Sequence, residues 1–297
     1  MKKLIRFIVN PISGTKSKSN LAKEVPDALD SNLFDHEVVF TEAPRHAIEL
    51  TTQAVADHVD IVVAVGGDGT VNEVASALVH TDTRLAVVPY GSGNGFAMHL
   101  GLGRNPQKAI TFLNDTKELL IDSCKVNDHF YVNLAGVGFD ARVAYELKNS
   151  KTRGFQAYFK NSVEQGIKYK NQVYRVQYDN EEIVEGKFLS ITIANASMFG
   201  YNFTIAPNAD LSDGVLDVVH IKDAPKYKYF ANMHRFLNRS ILKTPLTHLK
   251  FAKKVSVRSD EPIYFHVDGE GMITDKELVF SIIPASLKVL VPKTPST

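Results

Sequence analysis

Runs of β-branched residues alternate with helically spaced apolar residues through the first third of the chain. Leu4 to Val9 reads as a strand, Val38 to Phe40 as a short strand ending at Thr41, and Asp60 to Val65 and Arg84 to Pro89 as strands covered on both faces. Between them, Ala43 to Asp57 places Ala47, Ile48, Leu50, Ala54 and Val55 at helical spacing, and Val71 to Leu78 resumes that spacing. Strands alternating with helices predict parallel crossovers and a Rossmann-like, doubly wound α/β domain.

After about Asp122 the texture changes. Short strand-like runs at 130–134, 173–178, 187–194, 215–221, 255–257, 263–267, 277–283 and 287–291 are separated by turn residues, with helices expected at 141–147, 154–168 and 226–242. This predicts a C-terminal β-sandwich. The division expected is 1–122 for the α/β domain, with the tail 286–297 returning to it, and 123–285 for the β domain. No linker separates them, so a shared cleft is expected.

A chain of 297 residues exceeds the usual size of a single core, in keeping with two domains. Its 44% apolar and 23% charged content is that of a globular protein. With Cys124 the only cysteine, no intrachain disulfide and no Cys-based zinc site can form, which fits a reducing, cytoplasmic setting. The apolar run after Met1-Lys2-Lys3 is broken by Arg6 and ends at Asn10-Pro11, too short for a secretory leader. No stretch approaches the ~18 apolar residues of a membrane span, so dealings with lipid would be peripheral. A net charge of +1 gives nucleic acid no bulk attraction, and no nucleic-acid partner is expected. Lys/Arg do concentrate locally, with seven against one acid over 148–175 and ten against one over 222–258. Such runs serve either as solvated faces or as surfaces resting on anionic headgroups.

The chemistry concentrates in Gly66-Gly67-Asp68-Gly69-Thr70-Val71-Asn72-Glu73, where a buried strand ends and a helix begins. Backbone N–H groups at such a junction form an anion site, and glycines permit close approach and positive φ. Thr70 with Glu73 three residues later has the pattern of a capping box. Neither G-x-x-x-x-G-K-[ST] nor a helix-opening G-x-G-x-x-G is present, which disfavours P-loop NTPases and dinucleotide-dependent dehydrogenases. A second turn, Gly91-Ser92-Gly93-Asn94-Gly95, follows the next buried strand, at the sheet edge where α/β folds bind ligands.

Asn10-Pro11-x-Ser13-Gly14, Gly66-Gly67-Asp68-Gly69-Thr70, Gly91-Ser92-Gly93-Asn94, Asp213-Gly214-Val215-Leu216-Asp217 and Asp268-Gly269-Glu270, in that order, resemble the diacylglycerol kinase and sphingosine kinase family of lipid kinases. The second turn resembles the sphingosine kinase version more than the bacterial diacylglycerol kinase one. The resemblance implies an NAD kinase/diacylglycerol kinase-like fold, ATP and Mg²⁺ as cofactors, and phosphoryl transfer to a lipid hydroxyl at a membrane surface. It implies nucleotide contacts from Asn10, Thr41, Gly66, Gly67, Asp68, Gly69, Thr70, Asn72, Glu73, Gly91, Ser92 and Asn94. Asp68 would organise phosphates and metal, Glu270 would be the general base, and Asp213 with carbonyls near Asp210 and Val215 would hold a second Mg²⁺.

The acceptor stays open among diacylglycerol, a sphingoid base, ceramide, phosphatidylglycerol and a polyprenol. An NAD kinase-like enzyme and a non-catalytic regulator are the competing readings, disfavoured by the second turn and by the joint presence of Asp68, Asp213 and Glu270. The stripe of Tyr229, Phe230, Met233, Phe236, Leu237 and Ile241 serves either a core or an interfacial helix. The β domain is a candidate source of an edge for a homodimer.

Overall fold

The computed structural model describes residues 2–14, 18, 21–148, 155–179 and 182–293, in two units, one of 1–121 with 285–297 and one of 122–284. Lys151, Arg153 and the expected helix start at Gly154 lie outside the described residues.

The first unit contains β1 (Lys3–Val9), α1 (Leu21–Ala28), β2 (Phe34–Phe40), α2 (His46–Ala56), β3 (Ile61–Gly66), α3 (Asp68–Leu78), β4 (Arg84–Pro89), α4 (Gly95–His99) and α5 (Pro106–Phe112), and β5 (Thr116–Val126) leads out of it. Its strands run parallel in the order β2-β1-β3-β4. Ile5, Phe7, Val9, Val63, Val65 and Val88 form one core with Leu21 and Val25 of α1 and Ala109 and Ile110 of α5. The alternate strand positions, Ile8, Val62, Ala64 and Val87, are equally buried and must face the other side, where α2 and α3 bury Ala47, Ala54, Val71 and Val74. Strands covered on both faces explain the unbroken apolar runs.

The second unit contains β6 (His129–Tyr131), β7 (Leu134–Gly138), α6 (Phe139–Lys148), α7 (Phe155–Lys168), β8 (Gln172–Tyr178), β9 (Glu182–Ala194), β10 (Met198–Gly200), β11 (Phe203–Thr204), β12 (Leu216–Lys222), α8 (Lys226–Asn232), α9 (His234–Leu237), β13 (Thr247–Ala252), β14 (Lys254–Arg258), β15 (Ile263–Val267), β16 (Glu270–Thr274) and the start of β17 (Leu278–Pro292), whose residues from Ala285 belong to the first unit. The long β9 belongs to two antiparallel layers. Its first half pairs with β8, which continues to β14 and β17, and its second half lies between β7 and β12. The inward residues of both layers, among them Tyr174, Val176, Ile191, Ile193, Val218, Val255, Phe265 and Phe280, make one sandwich core.

Two sequence expectations change. Residues 226–242 do not form one helix: α8 ends at Asn232, α9 at Leu237, Arg239 is left-handed (φ 59°), and the Asn238 carboxamide accepts from both the amide and the hydroxyl of Ser240. Local side-chain acceptors and a left-handed residue stop the helix there. Its apolar stripe splits, with Tyr229 and Phe236 packed against Val219 and Ile221 and Ile241 buried, while Phe230 and Leu237 stay exposed. The two expected strands at 277–283 and 287–291 are instead the continuous β17, with a left-handed Ala285 (φ 46°) inside it.

Candidate active site

Four loops leave the C-terminal ends of adjacent parallel strands in the first unit. The Asn10 amide donates to the Val65 carbonyl (3.1 Å), the Thr41 amide to the Val9 carbonyl (2.9 Å), and the amides of Tyr90 and Gly91 to the Gly66 carbonyl (2.8 and 3.1 Å). The Asn10 carboxamide donates to Thr70 Oγ1 (3.1 Å), so the loop after β1 is fastened to the first turn of α3. Gly14, with φ 65°, lies so close to Tyr90 that a Cβ would overlap its carbonyl oxygen. A Cβ on Gly66 would overlap the Thr70 side chain, and one on Gly67 would lie tightly, 3.2 Å, against the Cα of Gly91.

Gly66, Gly67 and Gly91 therefore serve close approach, and Gly14 serves both close approach and a positive φ. None of Gly66, Gly67, Gly69 and Gly91 has positive φ; the left-handed residue of the second turn is Asn94 (φ 54°). Asn94 braces that turn by accepting from the Gly91 amide (2.9 Å) and donating to the Gly91 carbonyl (2.8 Å).

The capping-box expectation fails. α3 begins at Asp68 with Gly67 as its N-cap and no side-chain cap bond. Thr70 is buried inside the first turn, and Glu73 accepts from the Arg45 amide (3.2 Å) at the start of α2. A helix N-terminus without a side-chain cap keeps its N–H groups for a bound anion. Asp68 accepts from the Phe96 amide (3.2 Å), tying α3 to α4. Asn10, Thr41, the Gly66–Asn72 segment, Gly91, Ser92 and Asn94 thus lie along one sheet edge, while Glu73 is turned towards α2.

In the second unit, Glu270 follows a two-residue hairpin turn between β15 and β16, with Asp268 (φ 46°) and Gly269 (φ 87°) both at positive φ. The Asp268 carboxylate accepts from the amides of Val132, Asn133 and Leu134 at 3.0–3.1 Å, which anchors the turn. On the other side of Glu270, a Cβ on Gly271 would overlap the backbone of Tyr145, so α6 lies directly on β16. The Glu270 carboxylate is exposed and paired with Lys148 on α6 (3.1 Å). His266 is a packed strand residue, 2% exposed, with Nε2 3.3 Å from the Asp140 carboxylate.

The loop before β12 brings Asp210, Asp213 and Val215 close together. Asp210 accepts from the Ser212 amide and hydroxyl, and Asp213 from the Val215 amide (3.1 Å). Asp122, which the sequence offered only as a boundary residue, accepts from the Gly214 amide (2.8 Å) and donates its own amide to the Leu211 carbonyl (2.6 Å). Nothing local in the sequence marks it, because its partners lie some 90 residues downstream. Asp217 is 3% exposed, its Oδ2 has no hydrogen-bond partner, and burial and the charge of Asp213 push its pKa up to about 6. Among the described residues no three His, Cys, Asp or Glu side chains gather as a metal cluster. A cation here would rest on few carboxylates and on carbonyl oxygens, hard donors that fit Mg²⁺ and offset the crowding of Asp213 and Asp217.

Residues 4–126 match the diacylglycerol kinase catalytic domain, and 133–291 match the YegS C-terminal NAD kinase beta sandwich-like domain. The chain belongs to the diacylglycerol kinase catalytic-domain family. That family uses ATP and comprises phosphotransferases with an alcohol acceptor. Relatives of this family member include a diacylglycerol kinase of Staphylococcus saprophyticus, 29% identical over 91% of this chain and 90% of that one, and one of Bacillus subtilis, 26% identical over 98% and 97%. A diacylglycerol kinase structure from Bacillus anthracis strain Sterne superposes with a TM-score of 0.73 over 99% of this chain and 98% of that one at 18% identity, a likeness of fold. Among the described residues no helix is long and apolar enough to cross a membrane.

Proposed function

We propose that this family member transfers the γ-phosphate of ATP to the hydroxyl of a lipid of the diacylglycerol class, with Glu270 as general base. The observation that carries this is the convergence of the Asn10, Gly66–Asn72 and Gly91–Asn94 loops around an uncapped helix N-terminus, beside family membership. In this reading the backbone of those loops, with Thr41 and Ser92, holds the nucleotide, and Asp68 orients the phosphates. Mg²⁺, when bound, neutralises charge on the transferring phosphoryl group. Glu270 takes the proton of the acceptor hydroxyl as its oxygen bonds to Pγ and the Pγ–O bond to ADP breaks. Asp213, with carbonyls near Asp210 and Val215, holds a second, structural Mg²⁺.

A lipid acceptor is supported by a hollow of about 450 Å³ within the second unit, lined by Phe139, Val163, Leu189, Tyr229, Phe230 and Met233. Lys170, Lys187 and Lys226 also line it, and Tyr227 stands 68% exposed on α8 beside Lys226 and Lys228. Apolar and basic groups on one short helix suit peripheral contact with an anionic membrane.

The test is transfer of labelled γ-phosphate into a panel of lipids in mixed micelles with Mg²⁺, with Glu270→Gln as control. One labelled lipid, lost about 10²–10⁴-fold in rate in the control, is expected. Labelling of NAD in place of any lipid, or a control that keeps its turnover, overturns the reading.

A further inference from the structure

The inner face of the sandwich becomes steadily more polar towards one end. Residues two apart on a strand share a face, so β12 presents Leu216, Val218, His220 and Lys222 in turn. The register places Ala252 opposite Leu216, Lys250 opposite Val218 and His248 opposite His220, so β13 presents the same face. Both strands thus carry a His-x-Lys pattern, His220-Ile221-Lys222 and His248-Leu249-Lys250. The two imidazole centroids stand 6.4 Å apart. Protonating both rings would set like charges opposite one another on an antiparallel pair, which is destabilising.

His220, Lys222, His248 and Lys250 line a hollow of about 430 Å³. Tyr178, Phe188 and His220 are its buried members, while Lys187 and Lys222 are exposed. His220 is 2% exposed, its Nε2 meets the Tyr178 hydroxyl, and the Phe188 ring lies 5.0 Å away. Its Nδ1 is buried without a hydrogen-bond partner. The acids lining the hollow are already engaged: Glu182 pairs with Lys250, and Asp223 accepts from the Asn171 carboxamide. The ammonium groups of Lys187 and Lys222 have no ion-pair partner among the described residues.

We propose that this hollow binds a phosphate-bearing ligand, with Lys187, Lys222, Lys250 and His248 on the phosphate and the rings of Tyr178 and Phe188 under its organic part. Two lysines without an ion pair, Lys187 and Lys222, in one hollow with the buried rings of Tyr178 and Phe188 supply both halves of such recognition, charge for the anion and apolar surface for the group that carries it. The cations nearby also account for the neutral state of His220, whose pKa is held down to about 4 by burial and then by His248, Lys250 and Lys222. A bound anion removes the repulsion that this arrangement otherwise carries. The ligand's source is either the headgroup of an anionic phospholipid or a free phosphate monoester, and the site is independent of the role given to Glu270.

The test follows the imidazole Cε1–H resonances of His220 and His248 in the full chain. The probes are sn-glycerol 3-phosphate and, separately, phosphatidylcholine vesicles with and without phosphatidylglycerol. Saturable shifts with glycerol phosphate identify a monoester site, and broadening only with phosphatidylglycerol vesicles identifies the headgroup; either supports the proposal. In Lys187→Gln/Lys222→Gln, whose two lysines hold no ion pair, affinity for the responding probe falls at least about tenfold. Resonances that ignore both probes, or a double variant that keeps its affinity, overturn it. Reading the histidines themselves separates this site from phosphate bound at the Gly66–Asn72 loop.

Discussion

Gly67 and Gly91 meet backbone to backbone: a Cβ on Gly67 would lie 3.2 Å from the Cα of Gly91, and one on Gly91 would overlap the Cα of Gly67 and stand 2.7 Å from Asn94 Oδ1. Two glycine turns are thereby locked into one surface. Gly91→Ala is expected to cost about 1–3 kcal/mol of stability, as overpacking does, and to weaken ATP binding with it. Gly69 has nothing within 4 Å of an added Cβ, so Gly69→Ala keeps the fold. Melting temperatures and ATP titrations of the pair check this. A loss of ATP affinity in Gly69→Ala without loss of stability reports nucleotide contact directly.

Asp268 holds three consecutive backbone amides. Asp268→Ala strands those donors and is expected to destabilise the protein by about 2–4 kcal/mol, read from urea unfolding at constant slope. Glu270→Gln, one turn residue away but exposed, is expected to leave the urea midpoint in place. A shared loss in both variants would mean that the Glu270 side chain supports the hairpin.

His220 makes the fold acid-sensitive. Its folded-state pKa of about 4 lies below the ordinary histidine value of 6.5, so the unfolded chain binds the proton first. The neutral ring's contribution is complete above pH 6.5 and is lost as pH falls towards 4, a difference of up to about 3 kcal/mol. Unfolding free energies of the protein and of His220→Gln, compared across that window, should diverge. Parallel curves would show that the ring is not held neutral.

Mg²⁺ at the Asp213 loop would stabilise the folded chain by mass action, raising the melting temperature as the ion is added and lowering it with chelator. Asp213→Asn is expected to abolish most of that rise while leaving ATP binding at the other loops in place. A rise that survives the substitution places the ion elsewhere.

What the sequence showed plainly was whatever depends on neighbours along the chain. The buried runs of β1, β3 and β4 forced a parallel sheet, and the Gly-rich turns marked the strand ends where α3 and α4 begin. Short strand-like runs separated by turn residues, among them β8, β12, β14 and β15, announced the β-rich half. What it hid depends on distant partners. β5 was missed because Thr116-Lys117-Glu118 gives it a polar start with no alternation, and α4 because five residues make too short a period. The capping box was a false signal: Gly67, extended at φ −95°, starts α3 three residues before Thr70. The bracing of Glu270 by Asp268 and Gly271, and the link from Asp122 to Gly214, cross long stretches of sequence and leave no local trace.

The first unit is assembled from both ends of the chain. Val289 of β17 pairs with Leu85, Lys288 reaches Asp82 at 2.6 Å, the His80 amide donates to the Ser286 carbonyl, and Leu290 enters the α/β core. During synthesis this unit therefore waits, one sheet edge open, until the ribosome has made the whole of the second. A nonsense codon within 285–292 would damage the α/β unit while leaving every residue of 122–284 in place.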